Sequence, residues 1–364
     1  MTSVDDLPIR ADLRGRTPYG APQETVRIRL NVNENTHPIP EAVATDIVTA
    51  LAAAVLNVNR YPDREFGELR DSLAKYLGPG FTRDNVWAAN GSNEVLQHIL
   101  QAFGGPGRTV LGFPPTYSMH SIIAAGTGTT WIAGQRDTAY EISPETAVEW
   151  VEKTKPDVIF FCSPNNPTGT PLSLETIVAA YEATDGMVVV DEAYAEFAPS
   201  ELPTALSLLA GRERLIVSRT MSKAFAFAGA RLGYLAADPA VTDAMRLVRL
   251  PYHLSGLTQA AAVAALAHSG EMLAMVDDIA AQRDRLLTEL PLLGFPVWRS
   301  WANFVLFGGV ADPQAMFSAL LETDIIVRDV GIANHLRVTA GTQAETTAFL
   351  EAIGRLRTLG RIES

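Results

Sequence analysis

Short apolar runs alternate with amphipathic, helix-like segments along the chain up to about residue 255. Apolar runs bounded by turn residues are typical of buried strands, and helices between them indicate βαβ units. Five runs have this character: Val86–Ala89, Thr109–Phe113, Val158–Cys162, Met187–Val190 and Leu215–Val217. The pattern therefore predicts an α/β fold with a large domain, in which helices flank a mainly parallel sheet.

The chain beyond residue 255 follows a different pattern. A long helix-like segment leads to four short runs, FPVWRS, ANFVLFGG, IIVRDV and LRVTAG, which predict strands of a separate sheet closed by a helix near 343–356. We therefore predict a large domain over 41–255 and a smaller α/β domain over 256–364. The polar, turn-rich residues 1–40 are predicted to form an arm, part of which joins the smaller domain.

Composition and charge are those of an ordinary globular protein. Of 364 residues, 47% are hydrophobic and 19% charged, and the net charge of −12 argues against nucleic acid as a main partner. The first ten residues have no apolar core, which predicts no secretory signal, and the apolar stretch Val43–Leu56 is short for a membrane span. The single cysteine, Cys162, permits no internal disulfide, so we expect a reducing cytoplasm.

A polar residue follows the end of each predicted strand. These residues are Ser92, Tyr117, Asn166, Asp191 and Lys223. Because the carboxyl ends of parallel strands meet at one edge of a sheet, the spacing predicts a single site spread across that edge. Asp191 ends an apolar strand, where a carboxylate needs a cationic or protonated partner.

The segment Ser218–Tyr234 carries the most specific chemistry. Lys223 lies among small hydroxyl residues, and Arg231 follows in a glycine-marked context. The hydroxyl residues are Ser218, Thr220 and Ser222. A partly desolvated lysine has a lowered pKa and can attack a carbonyl, whereas hydroxyls and a guanidinium suit a phosphate. Together they suggest a Schiff-base lysine beside a phosphate site, as pyridoxal phosphate requires, although the segment alone also fits a surface lysine in a small-residue loop.

A second anion site is predicted where Gly91, Ser92 and Asn93 open a helix, because free amides and the helix dipole attract negative charge there. An ordinary capped helix is the alternative at this position. The six histidines show no metal-ligand spacing such as HExxH, and no GxxxxGK[ST] loop is present, so neither a metal site nor a nucleotide loop is predicted.

In chain order, SPNNPTG, VVVDEAYAEF, SRTMSKAFAFAGARLGY and LRVTAGT resemble motifs of the fold-type I pyridoxal-phosphate aminotransferases. TPYGAP, NVNEN, RYPD, AANGSNE and YSMH are most similar to the histidinol-phosphate aminotransferase family. The resemblance covers about residues 12–356. It implies pyridoxal 5′-phosphate as cofactor and transamination between L-histidinol phosphate and 2-oxoglutarate, giving imidazole acetol phosphate and glutamate in histidine biosynthesis.

The resemblance also implies roles for the residues that contact the cofactor ring. Lys223 would bind the cofactor covalently and later move the substrate proton, and Asp191 would pair with the pyridine nitrogen. Asn166 and Tyr194 would donate to the ring's 3′-oxygen, and Tyr117 would stack on the ring face. A carboxylate beside the ring nitrogen is physically sensible, because a protonated ring is the better electron sink.

Further residues are implied for the phosphate and the substrate. The implied phosphate ligands are Ser92, Asn93, Ser222 and Arg231, and Thr220 is implied as a further cofactor-binding residue. Tyr61 would reach the cofactor of a neighbouring subunit, which implies a homodimer. Arg337 would bind the substrate anion, because a guanidinium accepts a carboxylate or a phosphate bidentately. The implied supplementary substrate residues are Tyr19, Asn35, Tyr252 and Arg328.

Three other functions stay open at this point. An aromatic amino-acid aminotransferase shares much of this residue set, and a decarboxylase uses the same cofactor chemistry. A non-catalytic cofactor-binding module, as in some transcription factors, would need a DNA-binding domain, and the acidic chain shows no sign of one. Thr36 and His37 stand where many relatives have proline and an aromatic or small residue, which affects the expected pocket wall near the imidazole ring.

Overall fold

A computed structural model describes residues 2–15, 19–20 and 22–362. Eleven strands are present among these residues. They are β1 (Ile28–Arg29), β2 (Val86–Ala89), β3 (Thr109–Gly112), β4 (Thr130–Ala133), β5 (Val158–Cys162), β6 (Met187–Asp191), β7 (Leu215–Thr220), β8 (Gly233–Ala237), β9 (Phe304–Phe307), β10 (Ile325–Ile326) and β11 (Leu336–Thr339). The predicted α/β class is confirmed.

Eleven α-helices accompany the strands in the described part of the chain. They are α1 (Glu41–Val55), α2 (Gly67–Leu77), α3 (Ser92–Phe103), α4 (Met119–Thr127), α5 (Pro144–Thr154), α6 (Leu174–Glu182), α7 (Pro239–Val248), α8 (Gly256–Ala267), α9 (Ser269–Leu292), α10 (Pro313–Leu321) and α11 (Gln343–Thr358). Hydroxyl N-caps define several starts: Ser143, Ser173 and Ser255 each accept a backbone N–H from three residues ahead.

Seven strands form the large sheet, in the order β2–β8–β7–β6–β5–β3–β4. Every neighbouring pair is parallel except the two pairs that contain β8, which runs antiparallel to β2 and β7. Both faces of the sheet are buried: Val158 and Phe160 of β5 enter one core, and Ile159 and Phe161 enter the other. Continuous apolar runs are expected of strands that are covered on both sides.

All five predicted strands are present, and two further strands of the sheet were not predicted. β8 begins two residues after Arg231. Its GYLAA sequence overlaps the segment Ser218–Tyr234, which the sequence analysis interprets for its site residues, so no strand is predicted there. β4 is an edge strand with partly exposed residues, so its apolar signal is weak. The mainly parallel arrangement is confirmed.

The smaller sheets are separate from the seven-stranded sheet. β9 and β11 pair in antiparallel fashion, and β1 pairs in parallel with β10, so the N-terminal arm joins the C-terminal part of the chain. FPVWRS, predicted as a strand, makes only a bridge between Val297 and Phe307, because Pro296 lacks a backbone donor. IIVRDV is a strand only at Ile325–Ile326, with a bridge from Arg328 to Arg337.

The boundaries at residues 40 and 255 stay predictions. α8, which begins just after the second boundary, packs on α1 and α2 before it. α9 is the long element that leads from this region to β9.

Candidate active site

A cavity of about 480 Å³ opens at the carboxyl ends of the parallel strands. Most of the predicted site residues line it: Tyr19, Ser92, Asn93, Tyr117, Asn166, Asp191, Tyr194, Thr220, Ser222, Lys223, Arg231, Arg328 and Arg337. The tertiary structure thus brings together residues that are spread over more than three hundred positions of the sequence. The TPYGAP motif lies partly outside the described residues, but its Tyr19 is described.

Lys223 follows β7 and has a strongly perturbed amine. Its Nζ donates to the backbone carbonyl of Val32 at 2.9 Å. Burial lowers the pKa of Lys223 to about 8, and the positive charges of Arg337 and Arg231 act in the same direction, against the opposing Glu34 carboxylate. A lowered pKa gives the neutral amine at a moderately alkaline pH, as a nucleophilic lysine needs.

Asp191 is the last residue of β6 and is almost fully buried. Its Oδ1 accepts from the Ser218 hydroxyl at 3.2 Å, and its Oδ2 lies 3.2 Å from Nε2 of the buried His120. Because a carboxylate accepts, Nε2 is the protonated nitrogen of this imidazole. Two donors therefore fix the carboxylate where it faces the cavity.

The opposite end of the cavity suits an anion. The first amides of α3 have no acceptor within the helix, and Gly91 precedes them with a φ of 84°. A Cβ at Gly91 would lie 2.5 Å from Nη2 of Arg231, so glycine is required for the guanidinium to lie against this turn. Ser222 lines the same cavity. Free amides, a hydroxyl and a guanidinium together form a phosphate-binding cradle.

A chain of hydrogen bonds links the predicted ring and substrate residues. Asn166 Nδ2 donates to the Tyr194 hydroxyl at 3.3 Å, and Asn166 Oδ1 accepts from Nη1 of Arg337 at 2.6 Å. Nη2 of Arg337 donates to the carbonyl of Asn31 at 2.7 Å, while its Nε has no partner among the described residues. Burial lowers the pKa of Arg337 to about 10 and raises the pKa of the Tyr194 phenol, so the guanidinium is charged and the phenol neutral at pH 7.

Tyr117 forms one wall of the cavity. Its hydroxyl donates to Oδ1 of Asn93 at 3.2 Å, and its ring meets His120 edge-on at 5.6 Å between centroids. Burial raises the pKa of the phenol. These contacts hold the aromatic face in place beside the anion cradle.

The mouth of the cavity carries a second cation. The guanidinium of Arg328 lies 5.8 Å from the centre of the Tyr19 ring and donates to the carbonyl of Gly20 at 3.4 Å. The backbones of Arg328 and Arg337 are bonded to each other in both directions at 2.9 Å. The two arginines therefore lie on paired backbone positions, Arg337 buried and Arg328 partly exposed.

Three predicted residues lie outside this cavity. Tyr61 and Tyr252 stack on each other with centroids 4.4 Å apart, and Tyr61 is 80% exposed. Asn35 uses its side chain locally: Nδ2 donates to the carbonyl of Ala224, and Oδ1 accepts from the backbone of His37. Their roles in cofactor or substrate binding stay predictions.

Among the residues at the site that sequence reasoning missed, two have side chains that hold a functional group. His120 lies three positions after Tyr117, in the first turn of α4, and belongs to the YSMH motif, so the signal was available. Asn33 belongs to the NVNEN run, in which the resemblance implied a role for Asn35, and residue type alone does not distinguish the three asparagines. Its Nδ2 donates to the Tyr194 hydroxyl at 3.0 Å.

Within the described part of the chain, no group of His, Cys, Asp and Glu side chains could hold a metal ion. No helix among residues 2–15, 19–20 and 22–362 is long and apolar enough to cross a membrane. Cys162 is buried, and burial raises the pKa of its thiol.

Comparison with known proteins agrees with this geometry. Residues 25–353 match the family model for aminotransferase class I and II. The histidinol-phosphate aminotransferase of Paenarthrobacter aurescens is 60% identical over 97% of this chain and 96% of its own length. That of Thermobifida fusca is 55% identical over 96% of both chains. The crystal structure of histidinol-phosphate aminotransferase from Sinorhizobium meliloti in complex with pyridoxal-5′-phosphate has a TM-score of 0.82 and 25% identity, covering 92% of each chain.

The matched family model spans most of the chain, and these relatives exceed half identity over nearly its full length. Most of the residues that the motifs predicted line the cavity. The chain therefore belongs to the class I and II aminotransferase family.

Proposed function

We propose that this protein transfers an amino group between L-histidinol phosphate and 2-oxoglutarate, with pyridoxal 5′-phosphate as cofactor. The observation that carries the proposal is one cavity with a lysine whose pKa is lowered to about 8, a held carboxylate at Asp191, and two arginines at Arg337 and Arg328. The names of the relatives at 60% and 55% identity support the same substrate.

The residues present fit the cofactor. The cradle of Ser92, Asn93, Ser222 and Arg231 has the donors that a phosphate needs, and the requirement for glycine at position 91 keeps that cradle open to Arg231. Lys223 would bind the cofactor covalently and Asp191 would pair with its ring nitrogen. Bound there, pyridoxal phosphate would supply an aldehyde that condenses with amines and a ring that withdraws electrons from the substrate carbon.

The protein's own groups would then do the following work. The Asp191 carboxylate, held by Ser218 and His120, stabilises a proton placed opposite it. The Lys223 amine accepts and returns a proton, which its lowered pKa permits near neutral pH. Tyr194 and Asn166 are linked to Arg337 by hydrogen bonds, and they direct polar hydrogens into the cavity. The Tyr117 ring excludes water from one face of the cavity.

The two arginines support a reaction with two different anionic substrates. The guanidinium of Arg337 is planar and buried at the cavity, and each terminal nitrogen has a second N–H besides the one that Asn166 or Asn31 accepts, which leaves donor capacity for a carboxylate. Arg328 at the mouth adds a second positive charge and an adjacent aromatic ring, Tyr19, which suits a larger, doubly charged phosphate ester. A carboxylate needs one of these cations, and a phosphate ester uses both.

The deciding experiment is a half-reaction measured on protein loaded with pyridoxal phosphate. L-histidinol phosphate and L-phenylalanine are added in separate samples, and the loss of the cofactor's long-wavelength absorbance is followed. We expect fast conversion by histidinol phosphate and slow conversion by phenylalanine. Equal or faster conversion by phenylalanine would assign the protein to the aromatic amino-acid aminotransferases, and conversion by neither amine would refute transamination.

We further propose that the protein is a homodimer in which Tyr61 acts in the neighbouring site. The Tyr61–Tyr252 stack lies outside the cavity of its own chain, on a surface that also exposes Leu56 and Leu250. Exposed apolar groups of this kind mark interaction surfaces.

A complementation experiment tests the shared site. Lys223→Ala and Tyr61→Ala proteins, each inactive alone, are unfolded together and refolded as a mixture. A mixed dimer has one site with both native residues, so random pairing restores about a quarter of the native sites. No recovered activity would contradict the crossing of Tyr61.

We also propose a cytoplasmic location. The one cysteine is a buried free thiol, which is typical of a reducing compartment. Fractionation of the native cells, with detection by antibody, tests this proposal; recovery in an extracellular or membrane fraction would contradict it.

A further inference from the structure

Tyr194 is held by Asn33, a residue of the NVNEN motif to which the resemblance assigned no role. Asn33 follows β1, is fully buried, and has its Nδ2 3.0 Å from the Tyr194 hydroxyl. Nδ2 of Asn166 lies 3.3 Å from the same oxygen. The phenol therefore has two amide groups beside it, and the direction of each hydrogen bond decides where the phenolic hydrogen can go.

The orientation of the first amide follows from Arg337. A guanidinium only donates, so the oxygen of Asn166 must be the atom that faces Nη1 of Arg337, at 2.6 Å. The Asn166 nitrogen is then directed at Tyr194, and it donates.

The orientation of the second amide follows from Thr339 on β11. Its hydroxyl oxygen accepts the backbone N–H of Asn33 at 3.1 Å and lies 3.1 Å from Oδ1 of the same residue. The hydroxyl hydrogen is free to donate to that oxygen, which leaves the Asn33 nitrogen facing Tyr194. Both amides are therefore donors, and the phenol oxygen accepts from both.

Two donors on one phenol leave its single hydrogen without an amide acceptor. Tyr194 lines the cavity, so the hydrogen has the cavity to point into. We propose that Asn33 is a positioning residue: oriented by the Thr339 hydroxyl, it keeps the Tyr194 hydroxyl a hydrogen-bond donor toward an oxygen of the bound ligand. This inference rests on the proposed function, in which that oxygen belongs to the pyridoxal phosphate ring.

The backbone around Asn33 supports a fixed role. Its φ is 57°, a region that asparagine enters more readily than most residues, and its carbonyl accepts from Asn303 at 3.1 Å. The two preceding carbonyls, of Asn31 and Val32, accept from Arg337 and Lys223. Three successive residues of the N-terminal arm thus hold three functional side chains.

Three variants test the role of Asn33. Asn33→Gly keeps the backbone conformation and removes the amide, Asn33→Asp replaces the donor with an acceptor, and Thr339→Val removes the orienting hydroxyl at nearly constant volume. Thr346→Val on α11 is the matched control, because it removes a buried hydroxyl whose bond to Gly341 is long, at 3.5 Å.

The readout is the pH titration of absorbance in protein loaded with pyridoxal phosphate, in the absence of substrate. A donor to the ring oxygen stabilises its negative charge and so weakens proton binding at the cofactor–lysine linkage. We expect this linkage to bind its proton about tenfold more tightly in Asn33→Asp, and by a smaller factor in the other two variants. The control should titrate like the unmodified protein. A crystal structure of cofactor-free Asn33→Asp should show the Tyr194 hydroxyl turned toward residue 33.

Midpoints of Thr339→Val and Asn33→Gly that match the unmodified protein would overturn the positioning role. If Asn33→Gly does not fold, Thr339→Val alone decides, because its change in shape is small. The outcome is separable from the proposed function: altered midpoints in a protein that converts neither histidinol phosphate nor phenylalanine would retain the role of Asn33 and refute transamination. Failure of the unmodified protein to bind pyridoxal phosphate would refute both.

Discussion

At the scale of single residues, the environment of each site group decides its protonation and its reach. Lys223 has hydroxyl neighbours in the sequence, but the structure directs its amine to the carbonyl of Val32, from the N-terminal arm. Burial and the positive charge of Arg337 then lower the pKa of the amine to about 8, so that its neutral form is populated. Residue type nominated this lysine, and its tertiary surroundings make it reactive.

The pH dependence of Lys223 labelling in the cofactor-free protein follows from its pKa. Burial disfavours the charged amine, so the fraction of reactive neutral amine should rise with pH and be half-maximal near pH 8, rather than near the ordinary lysine value of 10.5. Pulse labelling with an amine-reactive reagent and peptide mass spectrometry measures this, with the exposed Lys75 and Lys155 as internal references. Labelling of Lys223 that only becomes half-maximal above pH 10 would contradict the perturbed amine.

Substitution of His120 should show how the Asp191 carboxylate is held. His120→Phe removes one of two donors to a buried carboxylate, which should cost about 1–3 kcal/mol of unfolding free energy and lower kcat. Urea denaturation and steady-state kinetics measure the two effects. His120→Gln retains a side-chain N–H and should recover part of both; equal losses in the two variants would show that the imidazole acts by packing alone.

At the scale of elements, Gly91 and Gly233 determine how the anion cradle is assembled. Gly233 begins β8, and a Cβ there would lie 2.1 Å from the backbone nitrogen of Ser92. The first turn of α3 can approach β8 this closely only because the side chain is absent. The sequence marked Gly233 as part of a glycine-rich context, but only the packing of α3 on β8 gives the reason.

Gly233→Ala should therefore displace the first turn of α3. We expect a loss of about 1–3 kcal/mol in the free energy of unfolding and weaker binding of pyridoxal phosphate. Denaturant titration and cofactor titration by absorbance measure these effects. Gly354→Ala is the control: its Cβ would meet nothing closer than 3.9 Å inside α11, so it should stabilise the protein by about 0.5–1 kcal/mol. Unchanged cofactor affinity in Gly233→Ala would contradict the close packing.

At the scale of the whole molecule, several large apolar side chains are exposed on α1 and near the Tyr61–Tyr252 stack. Leu250 is 75% exposed close to the Tyr61–Tyr252 stack, and α1, which packs on α8, exposes Val48 and Val55. Exposed apolar side chains of this kind are expected to be buried in the proposed contact between two copies of the chain rather than left in water.

Leu250→Lys should weaken the proposed dimer. An unpaired charge in an apolar contact is costly, so the monomer fraction should rise at micromolar protein concentration, and activity should fall with it. Sedimentation velocity measures the distribution. Leu292→Lys is the matched control, because this leucine is 80% exposed at the end of α9. Identical sedimentation of the two variants would contradict an interface at Leu250.

The α/β class, the strands whose residues are continuously apolar and the residue types at their carboxyl ends could be predicted from the sequence. These features depend on local periodicity and on residue type, which are visible in one dimension. The sequence also identified four candidate site residues before any contact was known: Lys223, Asp191, Asn166 and Arg231. β4 was not predicted, because a partly exposed edge strand leaves little apolar signal, and the strand predicted over IIVRDV proved to be only the two residues of β10.

The neighbours that hold those groups became known from the three-dimensional fold. His120 on Asp191, Asn33 on Tyr194 and the Val32 carbonyl at Lys223 are contacts between distant segments. A hydrogen bond depends on distance and angle in three dimensions, and a pKa depends on burial and nearby charge; neither is encoded in the spacing of residues along the chain. The residues for the chemistry could therefore be named from the sequence, whereas their orientation and protonation could not.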